Sequence, residues 1–411
     1  MRDIDLFQMA LGLVPPWVVE RSGFDAAEQR LDLHLGYARG ARFACPECSR
    51  SDCAVHDTQE KTWRHLDFFQ HQAYLHASVP RVRCPEHGVH LVAVPWARPG
   101  SGFTLLFEAV VLALAPHAPM RAIAERLREH DTRLWRVVTH YTDLGRRRED
   151  MSAVKLVGID ETASRRGQRY VSVFVDLERS KALFATPGRE AATVATFVDD
   201  LQAHGGAAAN IREVACDMGA GFLKGVAENL PGASLTLDKF HVTKLVIDAV
   251  DQIRREEMRE SPMTYALLKR SRFALLTNPQ NQTERQAQAI EIISFPTLNL
   301  KSAKAYQMKL TFQQAYAMRG KAGELALEKW CRWAKRSGLP PMKRAATTII
   351  KHWDGVVSYF RTGLTTAVLE GINSLIQAAK AKARGYRTDR YLIAMIYLLA
   401  GKLDLQQTHT K

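Results

Sequence analysis

Cysteine is scarce, with six residues in 411. That is too few to staple a chain of this length, so a secreted disulfide scaffold is excluded and a reducing, cytoplasmic setting is expected. Long apolar runs are also missing. The best candidate, "YLIAMIYLLA" from Tyr391 to Ala400, has about half the length a bilayer-crossing helix needs. It reads as a buried terminal helix, and no membrane partner is expected. The opening residues, "MRDIDLFQMALGLVPPW", lack the basic leader, apolar stretch and small-residue cleavage site of a secretory signal. Acidic residues are in deficit: 43 Asp and Glu face 57 Lys and Arg, a formal charge of +14. This balance favours a polyanionic partner.

What cysteine there is concentrates early. Cys45 and Cys48 in "CPEC", and Cys84 and His87 in "CPEH", repeat one Cys-Pro-Glu lead-in with two ligand-type residues at the same spacing. Each spacing suits a tight turn that aims two ligands at one ion, and two such turns complete a tetrahedral Zn²⁺ site. Cys53 and His56 offer another second half; the shared lead-in favours Cys45, Cys48, Cys84 and His87. Four protein ligands leave no open position for water, so the zinc is read as structural. The alternating segment "QAYLHASVPRVRC" reads as strand, in a small sheet that depends on the metal for want of a core. Arg81 and Arg83, beside the second turn, are candidate phosphate contacts.

From Phe103 the pattern becomes helical, with breaks near "APHAP" and "REHD". Leu112, Ile123, Leu127, Leu134, Val137, Val138 and Tyr141 can form the inside of a three-helix unit. Such a unit resembles a helix-turn-helix whose last helix, Thr132 to Leu144, enters a major groove. Thr132, Arg133, Arg136 and His140 are its candidate contacts to double-stranded DNA. Arg146, Arg147 and Arg148 suit backbone phosphates at its exit.

After residue 150 the period changes. An apolar run from Lys155 ends in Asp160, a polar turn containing Gly167 follows, and then come strands near Tyr170–Val175 and Lys181–Ala185. A helix, a strand ending before Asp217, a second helix, the strand "ASLTL" and a long helix complete the order β-β-β-α-β-α-β-α, that of a ribonuclease H-like α/β fold. Asp160 and Asp217 at neighbouring strand ends repel unless cations compensate, and Mg²⁺ accepts their oxygens. Glu370, on a late helix, is the choice for a third carboxylate. Asn373 lies one turn further on the same face, where it can contact a DNA phosphate or order the carboxylate, and Lys380, Lys382, Arg384 and Arg387 follow as a basic track. Between Asp217 and Glu370 the mostly helical region from Arg254 to Lys351 reads as an insertion. Its aromatics read as core, and Lys301, Lys304, Lys309, Lys329, Arg332, Lys335 and Lys343 as DNA guides or solvated surface.

The chain resembles the ISL3 family of bacterial insertion-sequence transposases, of the DDE class. The resemblance rests on the two zinc turns, "GIDE" (Gly158–Glu161), the "YVSVFVD" strand, "CDMGAGF" (Cys216–Phe222), "DKFHV" (Asp238–Val242) and "LEGINSLIQAAKAKARGYR" (Leu369–Arg387). It implies a catalytic, metal-binding triad of Asp160, Asp217 and Glu370 with Mg²⁺ or Mn²⁺. It also implies an N-terminal part that binds terminal inverted repeats, strand transfer into target DNA, a homodimer in the synaptic complex, and a bacterial cytoplasmic setting on the nucleoid. Asp238 and His241 support that site or cap a helix. The expected organisation is a zinc domain at 1–98, a helix-turn-helix at 99–150, the catalytic core at 151–253, a helical insertion at 254–352, and closing helices with a basic tail at 353–411. A metal-dependent nuclease without strand transfer, or an inactive DNA-binding regulator, would share much of this pattern.

Overall fold

A computed structural model describes residues 2–165, 169–364 and 367–405; the turn expected around Gly167 lies outside them. Contacts divide the described residues into two compact units, one running to Gly145 and joined by Asp404 and Leu405, the other spanning Arg146–Leu403.

The first unit opens with α1 (Asp3–Ala10) and the strands β1 (Trp17–Asp25), β2 (Arg30–Tyr37), β3 (Val55–Phe68), β4 (His71–Cys84) and β5 (Gly88–Leu91). They form one sheet in the order β1-β2-β4-β3, with β5 on β4. Alternation drives it: β4 buries Ala73, Leu75, Ala77 and Val79 while the residues between them stay half-exposed. Against them pack Leu31, Leu33 and Leu35 of β2, together with Trp17, Trp63 and Trp96. The expectation of a sheet without its own core is therefore wrong. The missing apolar surface comes from β1 and β2, upstream of the zinc turns.

Helices α2 (Leu105–Leu114), α3 (Met120–Leu127) and α4 (Asp131–Arg147) complete the unit. Thr104 caps α2 by accepting from Phe107 N. Leu112, Ile123, Leu134, Val137, Val138 and Tyr141 are all buried, as the periodicity requires, with Leu127 half-buried. The fully buried Glu108 of α2 accepts from Arg98 (3.0 Å), Ser101 (2.7 Å) and Tyr141 (2.9 Å), tying three segments together. A buried carboxylate is tolerable because each lone pair is occupied.

The second unit follows the expected order: β6 (Leu156–Arg165), β7 (Arg169–Asp176), β8 (Lys181–Pro187), α5 (Ala191–Ala203), β9 (Glu213–Cys216), α6 (Ala220–Asn229), β10 (Ser234–Leu237) and α7 (Lys239–Glu257). The sheet order is β10-β9-β6-β7-β8. Strand β10 is parallel to β9 and β9 to β6, while β6, β7 and β8 are antiparallel. One expectation needs correcting, since β6 does not end at Asp160. Its parallel partner stops at the Gly158–Ala215 pair, but antiparallel pairing to β7 carries it on past Asp160–Val173.

One sheet face packs on α5 and α6 and, through α7, on the helices of the expected insertion, α8 (Pro262–Leu268), α9 (Arg272–Leu276), α10 (Glu284–Ile293), α11 (Lys301–Ala317), α12 (Gly320–Lys335) and α13 (Pro340–Lys351), and on α14 (Trp353–Thr362), the first of the expected closing helices. Trp330, 1% exposed, donates to Met308 O at 2.7 Å and is a core anchor. Lys309 is no DNA guide. It is 1% exposed, its Nζ donates to the carbonyls of Leu275 (2.8 Å), Leu276 (3.1 Å) and Thr277 (3.0 Å), and burial pulls its pKa down to about 8. Lys309→Leu strands these acceptors and is expected to cost roughly 2–4 kcal/mol. A urea midpoint that stayed put would refute the role.

The other face is covered by α15 (Ala367–Ala383) and α16 (Asp389–Ala400). Leu369, Ile372, Leu392 and Ile396 meet Val173, Val175 and Ala215 there, so α16 is the buried terminal helix expected. Among the described residues, no helix is long and apolar enough to cross a membrane.

Candidate functional site

The first site is built by two turns. Strand β4 ends at Cys84, which pairs with Gly88 at the start of β5, so Cys84 and His87 flank the hairpin turn. Gly88 adopts φ +78°, a left-handed backbone that glycine takes without strain. The Cys45 turn closes through Ser49 N to Cys45 O, 2.9 Å. The ligand atoms of Cys45, Cys48, Cys84 and His87 all lie within 4.8 Å of one another. Around one tetrahedral zinc such atoms stand roughly 3.6–3.8 Å apart. Cys48 Sγ is 3.8 Å from Cys84 Sγ, and Cys84 Sγ is 3.6 Å from His87 Nδ1. Interaction with His87 holds the Cys84 thiol down to about 6, so it is ready to ligate as thiolate. The quartet fits zinc. Cys53, the alternative, turns its thiol to Arg50 O and stays outside.

The second site lies where the parallel pairing of β10, β9 and β6 stops. Gly158 pairs with Ala215 and Cys216 with Leu237. Asp160 and Asp217, each two residues beyond the first pair, therefore stand level, and Asp238 stands beside Asp217. Backbone amides fix each carboxylate: Glu161 N to Asp160 (2.7 Å), Gly219 N to Asp217 (2.8 Å) and Phe240 N to Asp238 (2.8 Å). His241 Nε2 is 3.8 Å from Asp238 Oδ2. Burial, and then the charges of Asp217 and Asp238, push Asp160 up to about 6 against the pull of the Glu161 amide and His241. The donors offered here are all oxygens, the kind that Mg²⁺ or Mn²⁺ accepts.

Helix α15 lies along β6 in matching steps. A side chain at Gly158 would come within 2.9 Å of Leu369, so glycine permits the approach. Asn373 Nδ2 donates to Asp160 Oδ2, Gln377 Nε2 to Thr162 Oγ1 (2.8 Å), and Lys380 Nζ to Ala163 O. Asn373 thus orders a carboxylate. Glu370 is exposed on the first turn, one residue after Leu369 and one turn before Asn373. Among the described residues, the zinc quartet is the only group of three or more ligand-type side chains this tightly gathered. Asp160, Asp217 and Glu370 share a region without being drawn into such a cluster.

The expected DNA contacts divide. Arg136, Arg147, Arg148, Lys382, Arg384 and Arg387 are exposed. Arg133 pairs with Glu129 and covers the Phe103 ring at 4.3 Å. His140 is half-buried, and Thr132 bonds His130 at 2.9 Å. Arg81 pairs with Asp57, and Arg83 lies 3.3 Å from His56. Arg146 is a correction: 8% exposed, it bonds Asp200 at 2.6 Å and covers the Tyr397 ring, so its guanidinium holds the fold. Lys380 is likewise spent on β6. The carboxylate that the triad reading left out is Asp238, whose signal was an apolar strand ending in Asp for the third time.

Comparison with known proteins follows the same division. A family model described as "zinc-finger of transposase IS204/IS1001/IS1096/IS1165" matches residues 41–87. One described as "Helix-turn-helix domain of transposase family ISL3" matches 92–142, and a model described as "Transposase" matches 157–396. The chain is 30% identical over 433 residues to a protein of Mycobacterium tuberculosis named "Transposase for insertion sequence element IS1557", covering 98% of this chain and 96% of the relative. It is 26% identical over 362 residues to the "Transposase for insertion sequence element IS1001" of Bordetella parapertussis, covering 86% and 87%.

Proposed function

Because the chain belongs to the transposase family ISL3, we propose that it binds the terminal inverted repeats of an insertion sequence, cleaves DNA there, and joins the freed 3′-hydroxyl to target DNA. The observation that carries the reading is the strand register, which sets Asp160 level with Asp217 while Leu369 and Asn373 lay the helix of Glu370 along β6. These three carboxylates would hold two divalent cations. When bound, such ions activate the attacking water or hydroxyl and stabilise the leaving oxygen.

The rest is the work of the chain's own groups. Asn373 and the Glu161 amide fix both oxygens of Asp160, so its orientation is settled before substrate arrives. The exposed Lys382, Arg384 and Arg387 track phosphates away from the site. In the first unit, Arg136 and His140 of α4 face the groove and Arg81 and Arg83 hold the backbone, as do Arg147 and Arg148 at the start of the second unit. Paired ends require two copies, so a homodimer assembles on DNA.

A strand-transfer assay with the element's own end duplex and Mg²⁺ tests this, run beside Glu370→Gln. Joined products from the wild type alone are expected. Equal products from both would remove Glu370 from the metal site, and cleavage without joining would leave a nuclease.

A further inference from the structure

A cavity of about 510 Å³ opens beside the carboxylate row, and the chemistry just described makes no use of it. Lys239 and Thr243 line one wall from the start of α7; Asn278, Gln280, Gln313 and Tyr316 line the other from the insertion. Lys239 directly follows Asp238, so the mouth begins one residue from the strand ends.

The lining defines the guest. It has no carboxylate and a single cation, which disfavours a metal ion and a free phosphate alike. Amides dominate instead. Gln313 Nε2 donates to Asn278 Oδ1 at 2.7 Å, which leaves the Gln313 carbonyl as acceptor beside the Asn278 amino group as donor. Paired amide functions of this kind read the edge of a nucleobase. Tyr316 is 2% exposed and adds an aromatic ring to the lining. Lys239 Nζ sits over the Tyr359 ring at 5.3 Å and the Tyr316 ring at 5.7 Å. Phe240, the next residue along α7, is 58% exposed.

We propose that the cavity receives one nucleobase swung out of the duplex at the cleavage point, and that Phe240 fills the gap left in the stack. The proposal rests on the transposase reading above. Asp160 and Asp217 are half-buried, so the phosphodiester of an intact duplex meets the rim first. Extruding one nucleotide bends the backbone inward and lowers the phosphate onto the carboxylates.

The test uses the full-length protein and a duplex from the boundary of its element, with 2-aminopurine placed in turn at the positions flanking the cut. In Ca²⁺, which holds the complex before cleavage, fluorescence is expected to rise several-fold at one position. Gln313→Leu and the exposed-surface variant Gln280→Ala should bind the duplex, lose the rise and cut more slowly in Mg²⁺. An abasic site at the responding position should restore their cutting. Cleavage by the wild type with no rise at any position overturns the pocket and leaves the transposase reading intact. An unchanged rise in both variants, or a defect that persists over the abasic site, overturns it as well. A wild type that neither binds nor cuts brings down the transposase reading and the pocket with it.

Discussion

Asp160→Asn is expected to abolish cleavage while making the cation-free protein more stable. The folded chain holds the Asp160 proton more tightly than the unfolded chain does, because burial and the charges of Asp217 and Asp238 raise its pKa from 3.8 to about 6. By linkage, stability from this group is present at low pH, falls between about pH 4 and pH 6, and is gone above. Asparagine removes the charge and keeps the shape. Its carbonyl still accepts from the Glu161 amide, and Asn373 keeps its bond by turning its own carbonyl to accept from the new amino group. The gain at pH 7.5 is about 2 kcal/mol, discounted from the full shift because solvent reaches part of the group, or on the order of 5 °C in melting temperature. Two controls sharpen the result. Acidification from pH 7 to pH 5 should stabilise the wild type more than the variant, and Mg²⁺ should raise the melting temperature of the wild type alone. Coincident pH profiles would mean that Asp160 is not under the electrostatic load assigned to it.

The carboxylate row was legible because each parallel strand prints as a short apolar run closed by an acid: "GID", "ACD" and "TLD". The extent of β6 was not. Asp160 looks terminal in sequence because apolar residues stop there, yet the strand continues through antiparallel hydrogen bonds, which polar side chains do not prevent. The cations misled in a consistent way. Arg146, Lys309 and Lys380 look like surface, and each is spent on a partner far along the chain: Asp200, the carbonyls at the end of α9, and Ala163. Nothing local announces such pairs, so the basic track that remains is shorter than composition implies. The core of the first unit was missed for another reason. The alternation in "RLDLHLGY" is a plain strand signal, but it lies before the cysteines on which the zinc reading concentrated.

That core changes what zinc removal should do. A metal module with no apolar interior unfolds when stripped, as zinc-finger peptides do, with roughly 10–16 kcal/mol at stake. Here Trp17, Trp63, Trp96, Leu33 and Leu75 form an interior of their own, and of the ligands Cys45 and Cys84 line one side of it. Cys45→Ser should still weaken zinc binding by about two orders of magnitude, since four ligands share that energy at roughly 3 kcal/mol each. The consequence is local: the turns at 45–53 and 84–88 should lose hydrogen-exchange protection while β2 and β4, paired through Leu33 and Leu75, keep theirs. Binding to the terminal duplex should fall with the turns, because Arg81 and Arg83 lead directly into the Cys84 hairpin. Zinc analysis, exchange and DNA affinity on the same sample therefore separate two cases. Protection lost throughout the sheet would make zinc the foundation of the fold, whereas loss confined to the turns would make it a clamp that aims a DNA-binding edge.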